Sequence, residues 1–167
     1  MKILILNKPE FGRFMEYNMI DDDNVETQNA MFISINPAYC EQLLYGRKDA
    51  GIQTSYFKRQ HSNVMIMHFG DYGEEYVARV AHEGPTGIFN PFKAKKLYEF
   101  IKRNKDKRMA IVHCSAGISR SGAVGTFIFD LYGRESMTYE EFLTKNRRIQ
   151  PNQHVIRLLN DELRKDK

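Results

Sequence analysis

The sequence predicts an α/β fold, a central, largely parallel sheet of about four to five strands flanked by helices, in a single domain covering residues 1–167. Two observations lead there. Four short runs rich in Ile, Val, Leu and Met stand where strands belong, and capped amphipathic patterns fall between and after them. The order strand, crossover helix, strand, tight loop, helix suits parallel pairing, because a parallel neighbour requires a long return connection. No repeat, linker or low-complexity stretch interrupts the series.

In chain order, the predicted strands are Lys2 to Leu6, Met31 to Ile35, Asn63 to His68 and Arg108 to His113. Helical patterns fall mainly in the second half. The clearest starts at Asn90, a good N-cap followed by Pro91, and runs to Asn104 with Ala94, Leu97, Tyr98 and Ile101 on one face. Others run from Arg120 to Tyr132, ended by Gly133, from Thr138 to Lys145, with a Thr138/Glu141 capping box, and from Asn152 to Arg164. Between Asp71 and Phe89 the glycines and Pro85 predict a loop with a short helix around Glu75 to Ala81.

Composition narrows the class. With 42% hydrophobic residues the chain can form a core, yet its longest apolar runs, Met65 to Met67 and Gly122 to Phe129, are far too short to span a bilayer. The N-terminus shows no signal-peptide cleavage pattern, so a soluble cytoplasmic protein is expected, with no membrane partner and as a monomer. Cys40 and Cys114 have neither CxxC nor Cys/His ligand spacing, which argues against a disulfide framework or a zinc site. No metal and no cofactor is expected. The net charge of +4 favours an anionic substrate, but no nucleic-acid-binding signature accompanies it.

The chemistry concentrates after the fourth strand, in Cys114-Ser115-Ala116-Gly117-Ile118-Ser119-Arg120-Ser121-Gly122, which leads directly into an apolar helix. Five residues between Cys114 and Arg120 allow the backbone to curl until its amides converge on one point, aided by the positive end of the helix. Gly117 can take angles that a side chain forbids, and small Ser115 and Ala116 leave the rim open. A tetrahedral dianion suits such a nest, and the Arg120 fork can donate two parallel bonds to its oxygens. Amides, helix end and guanidinium all favour thiolate at Cys114, a competent nucleophile for phosphoryl transfer through a phosphocysteine. His113 is placed to hold the cysteine, and Ser121 to donate to the thiolate as it leaves.

The segment HCSAGISRSG resembles the active-site signature of the protein tyrosine phosphatase superfamily, HC-x5-R-S/T, and looks most like the small dual-specificity branch. FISI near residue 33 resembles that branch's early strand, and Ile149-Gln150-Pro151-Asn152 its C-terminal I-x-P-N segment. The resemblance implies a cysteine phosphatase fold acting on phosphorylated protein or peptide, hydrolysing phosphotyrosine and also phosphoserine or phosphothreonine. It also implies that Asn152 braces the phosphate loop, besides its plain reading as a helix N-cap, and that an aspartate on a separate loop protonates the leaving oxygen.

Topology points to Asp71 for that acid. If the strands Asn63 to His68 and Arg108 to His113 are parallel neighbours, their carboxyl ends share one sheet edge, where open α/β folds bind ligands. Asp71 follows the first and Cys114 the second, and Gly70 and Gly73 would let the loop close. Asp106 starts its strand from the opposite edge, about 20 Å away at ~3.3 Å per residue. The stretch Tyr72 to Phe89 departs from the family, whose acids usually lie nearer the cysteine; Glu74 and Glu75 stand in reserve. The loop interior lacks lysine, unlike phosphoinositide-directed relatives, and Tyr56, Phe57, Tyr72 and Tyr76 are candidates for an aromatic wall. Two other classes use an anion-binding loop: a non-catalytic phosphoresidue-binding module, and a sulfurtransferase or arsenate reductase. Cys40 is read as a buried structural cysteine.

Overall fold

The computed structural model describes residues 1–38, 56–80 and 87–166; Cys40 and Ala81 lie outside them. Its elements are β1 (Lys2–Asn7), α1 (Lys8–Tyr17), a 3-10 turn (Val25–Thr27), β2 (Ala30–Asn36), β3 (Val64–His68), α2 (Glu74–Val80), α3 (Pro91–Arg103), β4 (Met109–Cys114), α4 (Arg120–Ile128), α5 (Tyr139–Lys145) and α6 (Gln153–Lys165). A π-helical turn, Phe129–Gly133, closes α4.

Among the described residues the sheet has four strands in the order β1-β4-β2-β3, and every pairing is parallel. The fold is therefore α/β with helices on both faces. The expected adjacency of the third and fourth strands is corrected: β2 lies between β3 and β4 and pairs with both. Its sequence explains the position, since all seven residues of AMFISIN are buried, as an inner strand covered on both faces requires. Because the whole sheet is parallel, the carboxyl ends of β3 and β4 still emerge on one edge.

Alternation along the strands sends side chains into two cores. On one face Phe11 and Met15 of α1 pack with Phe32, Phe57 and Ile111. On the other, α3, α4 and α6 contribute Leu97, Ile101, Val124 and Leu159 against Ile33 and Val112. Helix α1 departs from the expectation that helices fall mainly in the second half. Its signal was present: Asn7 accepts from the Glu10 amide at 2.7 Å while Glu10 accepts from the Asn7 amide at 3.0 Å, a complete capping box, with Phe11 and Met15 four apart. Gly12 and three aromatics within the segment weaken its helical pattern.

The edge strand β1 is protected from the side. The Ile5 amide donates to Asn146 Oδ1 at 3.1 Å, and Asn146 Nδ2 donates to the Phe142 carbonyl at 2.8 Å, both buried. An edge amide is thereby satisfied and the end of α5 is tied to the sheet. Replacing Asn146 by Ala strands the Ile5 amide, while the Phe142 carbonyl keeps the backbone amide of residue 146 at 3.1 Å, so the variant should lose about 1–3 kcal/mol of stability, read as a lower urea midpoint at unchanged slope.

Candidate active site

The loop between β4 and α4 is shaped by what lies behind it. Gly117 adopts φ +71°, the left-handed region, and a Cβ there would sit 2.6 Å from the Asn7 nitrogen and 2.7 Å from the Leu6 carbonyl carbon. Glycine is thus required both by conformation and by contact with the β1 backbone. The curl turns the Gly117 amide inward, where it donates to Cys114 Sγ at 3.3 Å. Ser115 and Ala116 stay exposed on the rim, and the Lys8 amide donates to the Ser115 carbonyl at 3.3 Å, fastening the rim to α1.

Cys114 is 2% exposed, and Ser121 Oγ lies 3.1 Å from its sulfur. Burial, the largest single influence, pushes the thiol up. The Ser121 hydroxyl and amide, the Arg120 charge and the Ile118 amide together outweigh it and hold the Cys114 pKa below the ordinary thiol value. Helix α4 has no side-chain cap at Ser119, so its first amides are left to the loop. This is a nest able to hold either a thiolate or a bound oxyanion.

Arg120, 8% exposed, is held in place by its own donors: Nη1 to the Phe69 carbonyl at 2.9 Å and Nη2 to Ser115 Oγ at 3.3 Å. The first bond crosses to the end of β3 and binds the guanidinium to the segment that carries Asp71. His113 points to the α1 side, stacked on Phe11 with ring centroids 4.1 Å apart, and its Nε2 is 2.7 Å from Ser34 Oγ. Burial pushes its pKa down to about 4, opposed in part by the Cys114 backbone near Nδ1, where no aligned hydrogen bond forms. At neutral pH it is an uncharged imidazole that fixes the end of β4.

Asp71 is drawn to the loop from outside. Its Oδ1 accepts from Ser119 Oγ at 2.7 Å and from Asn152 Nδ2 at 2.8 Å, and Oδ2 has no hydrogen bond among the described residues. Asn152 also donates to the Tyr72 carbonyl at 3.0 Å and caps α6 by accepting from the Val155 amide at 3.1 Å. Asn152 is the N-cap of α6 and a contact of the loop at once: its backbone amide donates to the Ser119 carbonyl at 3.2 Å, and its side chain holds Asp71. The Gln150 amide adds a second brace at the Ile118 carbonyl.

The structure thus gathers Cys114, the loop 115–119, Arg120, Ser121, Asp71 and Asn152 at one edge of the sheet. Glu74 is turned away in an exposed ion pair with Arg157, Glu75 is exposed, and Asp106 lies in the turn that precedes β4 at the opposite edge. The aromatic wall is corrected. Phe57 is buried in the α1 core and Tyr56 donates to the Ile20 carbonyl at 3.0 Å, whereas Tyr72 and Tyr76 stack with centroids 4.4 Å apart beside Asp71. Burial satisfied Phe57 before any ligand could. Among the described residues no three His, Cys, Asp or Glu side chains converge as metal ligands.

No family model and no curated protein matches the chain. The partners that sequence reasoning missed are the Phe69 carbonyl, Ser34 and the β1 backbone behind Gly117. Only Gly117 carried a signal, as a glycine in mid-loop; a carbonyl acceptor carries none. Ser121→Ala should raise the Cys114 pKa, because a donor to the thiolate is lost while burial is unchanged. The midpoint of iodoacetamide alkylation against pH should move upward, with alkylation at pH 6 slowed severalfold.

Proposed function

We propose that the chain is a cysteine-dependent phosphatase that acts on phosphorylated protein side chains, phosphotyrosine first and phosphoserine or phosphothreonine as well, in the cytoplasm. The observation that carries this reading is the convergence on one buried sulfur of the Gly117 amide and Ser121, with Asp71 tied to the same loop through Ser119. No described helix is long and apolar enough to cross a membrane.

In this scheme the amides of the loop and Arg120 receive the phosphate oxygens, and Cys114 attacks phosphorus in line with the leaving oxygen. As the S–P bond forms and the P–O bond breaks, protonated Asp71 gives its proton to the leaving oxygen through Oδ2, with Oδ1 held by Ser119 and Asn152. Water then attacks the phosphocysteine, the Asp71 carboxylate takes its proton, and the S–P bond breaks. Inorganic phosphate leaves and the thiolate is restored, steadied by the Ser121 hydroxyl.

Hydrolysis of para-nitrophenyl phosphate with a chelator present should fall to background in Cys114→Ser while phosphate still binds, since the nest and Arg120 are intact. Equal activity in the variant sinks the covalent route; a silent native chain favours the binding module or sulfur transfer. Asp71→Asn should slow phosphoserine peptide by about 10²- to 10⁴-fold and the activated aryl ester far less, because only the poor leaving group needs the proton. Equal losses on both substrates would make Asp71 structural.

A further inference from the structure

Positive charge is concentrated behind the phosphate loop. The outer edge of β1 and the α5–α6 connection border a groove of about 390 Å³ lined by Ile5, Gly117, Lys145, Asn146, Arg147 and Arg148. Gly117 is the shared wall: its amide donates inward to Cys114 Sγ at 3.3 Å, while the residue also lines the groove.

Elsewhere on the helices cations are commonly answered by a carboxylate, as in Arg134–Asp130 at 2.6 Å and Arg164–Asp161 at 3.2 Å. Of the groove's cations, only Arg148 is so answered among the described residues. Arg148 meets Glu10 at 2.7 and 2.9 Å, and Glu10 also accepts the Asn7 amide at 3.0 Å. Among the described residues Arg147 donates only to the Thr144 carbonyl, at 3.2 Å, and the tips of its fork meet no partner. Among the described residues Lys145 makes no ion pair, although its charge acts on Glu141, one turn earlier, which accepts the Thr138 amide at 2.7 Å. Arg13 makes none among them either, and its charge, with that of Arg148, acts on Glu10. Lys145 and Arg147 therefore line the groove without an ion pair among the described residues, beside the loop that carries Gly117.

We propose that this groove docks an acidic segment of the phosphoprotein substrate, so that phosphorylated residues flanked by Asp or Glu are bound in preference. The proposal rests on the reading of the Cys114 loop as the phosphate site. Gly117, which lines the groove, follows directly on the exposed Ser115–Ala116 rim, so a substrate chain that leaves over that rim, at up to ~3.3–3.6 Å per residue, has the groove as its neighbour. The Arg147 fork matches carboxylate geometry, and an uncommitted fork loses no existing bond on engaging it. Another basic run, Arg103 to Arg108, precedes β4 at the opposite sheet edge, about 20 Å away at ~3.3 Å per residue.

Two fluorescent phosphotyrosyl peptides, identical except for Glu and Asp against Gln and Asn in the flanks, test the groove by anisotropy on the Cys114→Ser chain. The acidic peptide should bind about three- to tenfold tighter at low ionic strength, the range that a few exposed charge pairs supply, with the advantage shrinking in ~0.5 M salt. It should vanish when Lys145→Gln and Arg147→Gln are added. Equal affinities for the two peptides, or a preference that survives those substitutions, overturns the proposal. Hydrolysis of para-nitrophenyl phosphate, which has no flanking residues, reports the chemistry separately. A chain inactive on that ester that still prefers the acidic peptide keeps the groove and removes the catalysis.

Discussion

The constraint on which the structure turns is the burial of a sulfur among inward-turned donors. Cys114 is 2% exposed, and burial alone drives its pKa upward. Fixed dipoles outweigh that influence and hold the pKa below the ordinary thiol value: the Gly117, Ile118 and Ser121 amides, the Ser121 hydroxyl and the nearby guanidinium. Each of those donors owes its direction to the curl of one loop. Holding the curl rigid is the task of the surrounding fold, because amides that had to reorient as charge moved would lose most of their advantage over water.

The loop is held from several directions by parts of the chain distant in sequence. The backbone of β1 blocks it from behind at Gly117, α1 fastens the rim through Lys8, and the segment before α6 grips Ile118 and Ser119 from the side. The parallel sheet makes this arrangement possible. Its four strands end on one edge, so β1, β3 and β4 deliver the backing, the Asp71 segment and Cys114 to the same place although β2 separates two of them.

Arg120 and Asn152 join these supports to one another. Arg120 spans from Ser115 to the Phe69 carbonyl, and Asn152 from the Ser119 carbonyl to Asp71 and Tyr72. Asp71 and the loop 115–119 therefore do not move as independent pieces; displacing one breaks hydrogen bonds to the other. Ser119 shows the economy of this design. By giving its hydroxyl to Asp71 it leaves α4 without a side-chain cap, and the uncapped amides remain available to an anion.

The sequence by itself determined the element types and the local chemistry. Apolar runs, the Thr138 and Asn90 caps, the cysteine and arginine spacing and the mid-loop glycine are all short-range features, written within a few consecutive residues. It also carried the α1 capping box, whose helical pattern Gly12 and the aromatics weakened. Only the tertiary structure decided the strand order, the division of Asn152 between the loop and Asp71, the removal of Phe57 into the core and the seating of Arg147 behind Gly117. Those outcomes depend on which surfaces are buried against each other and on carbonyl groups such as that of Phe69, which every residue carries and no side-chain pattern distinguishes.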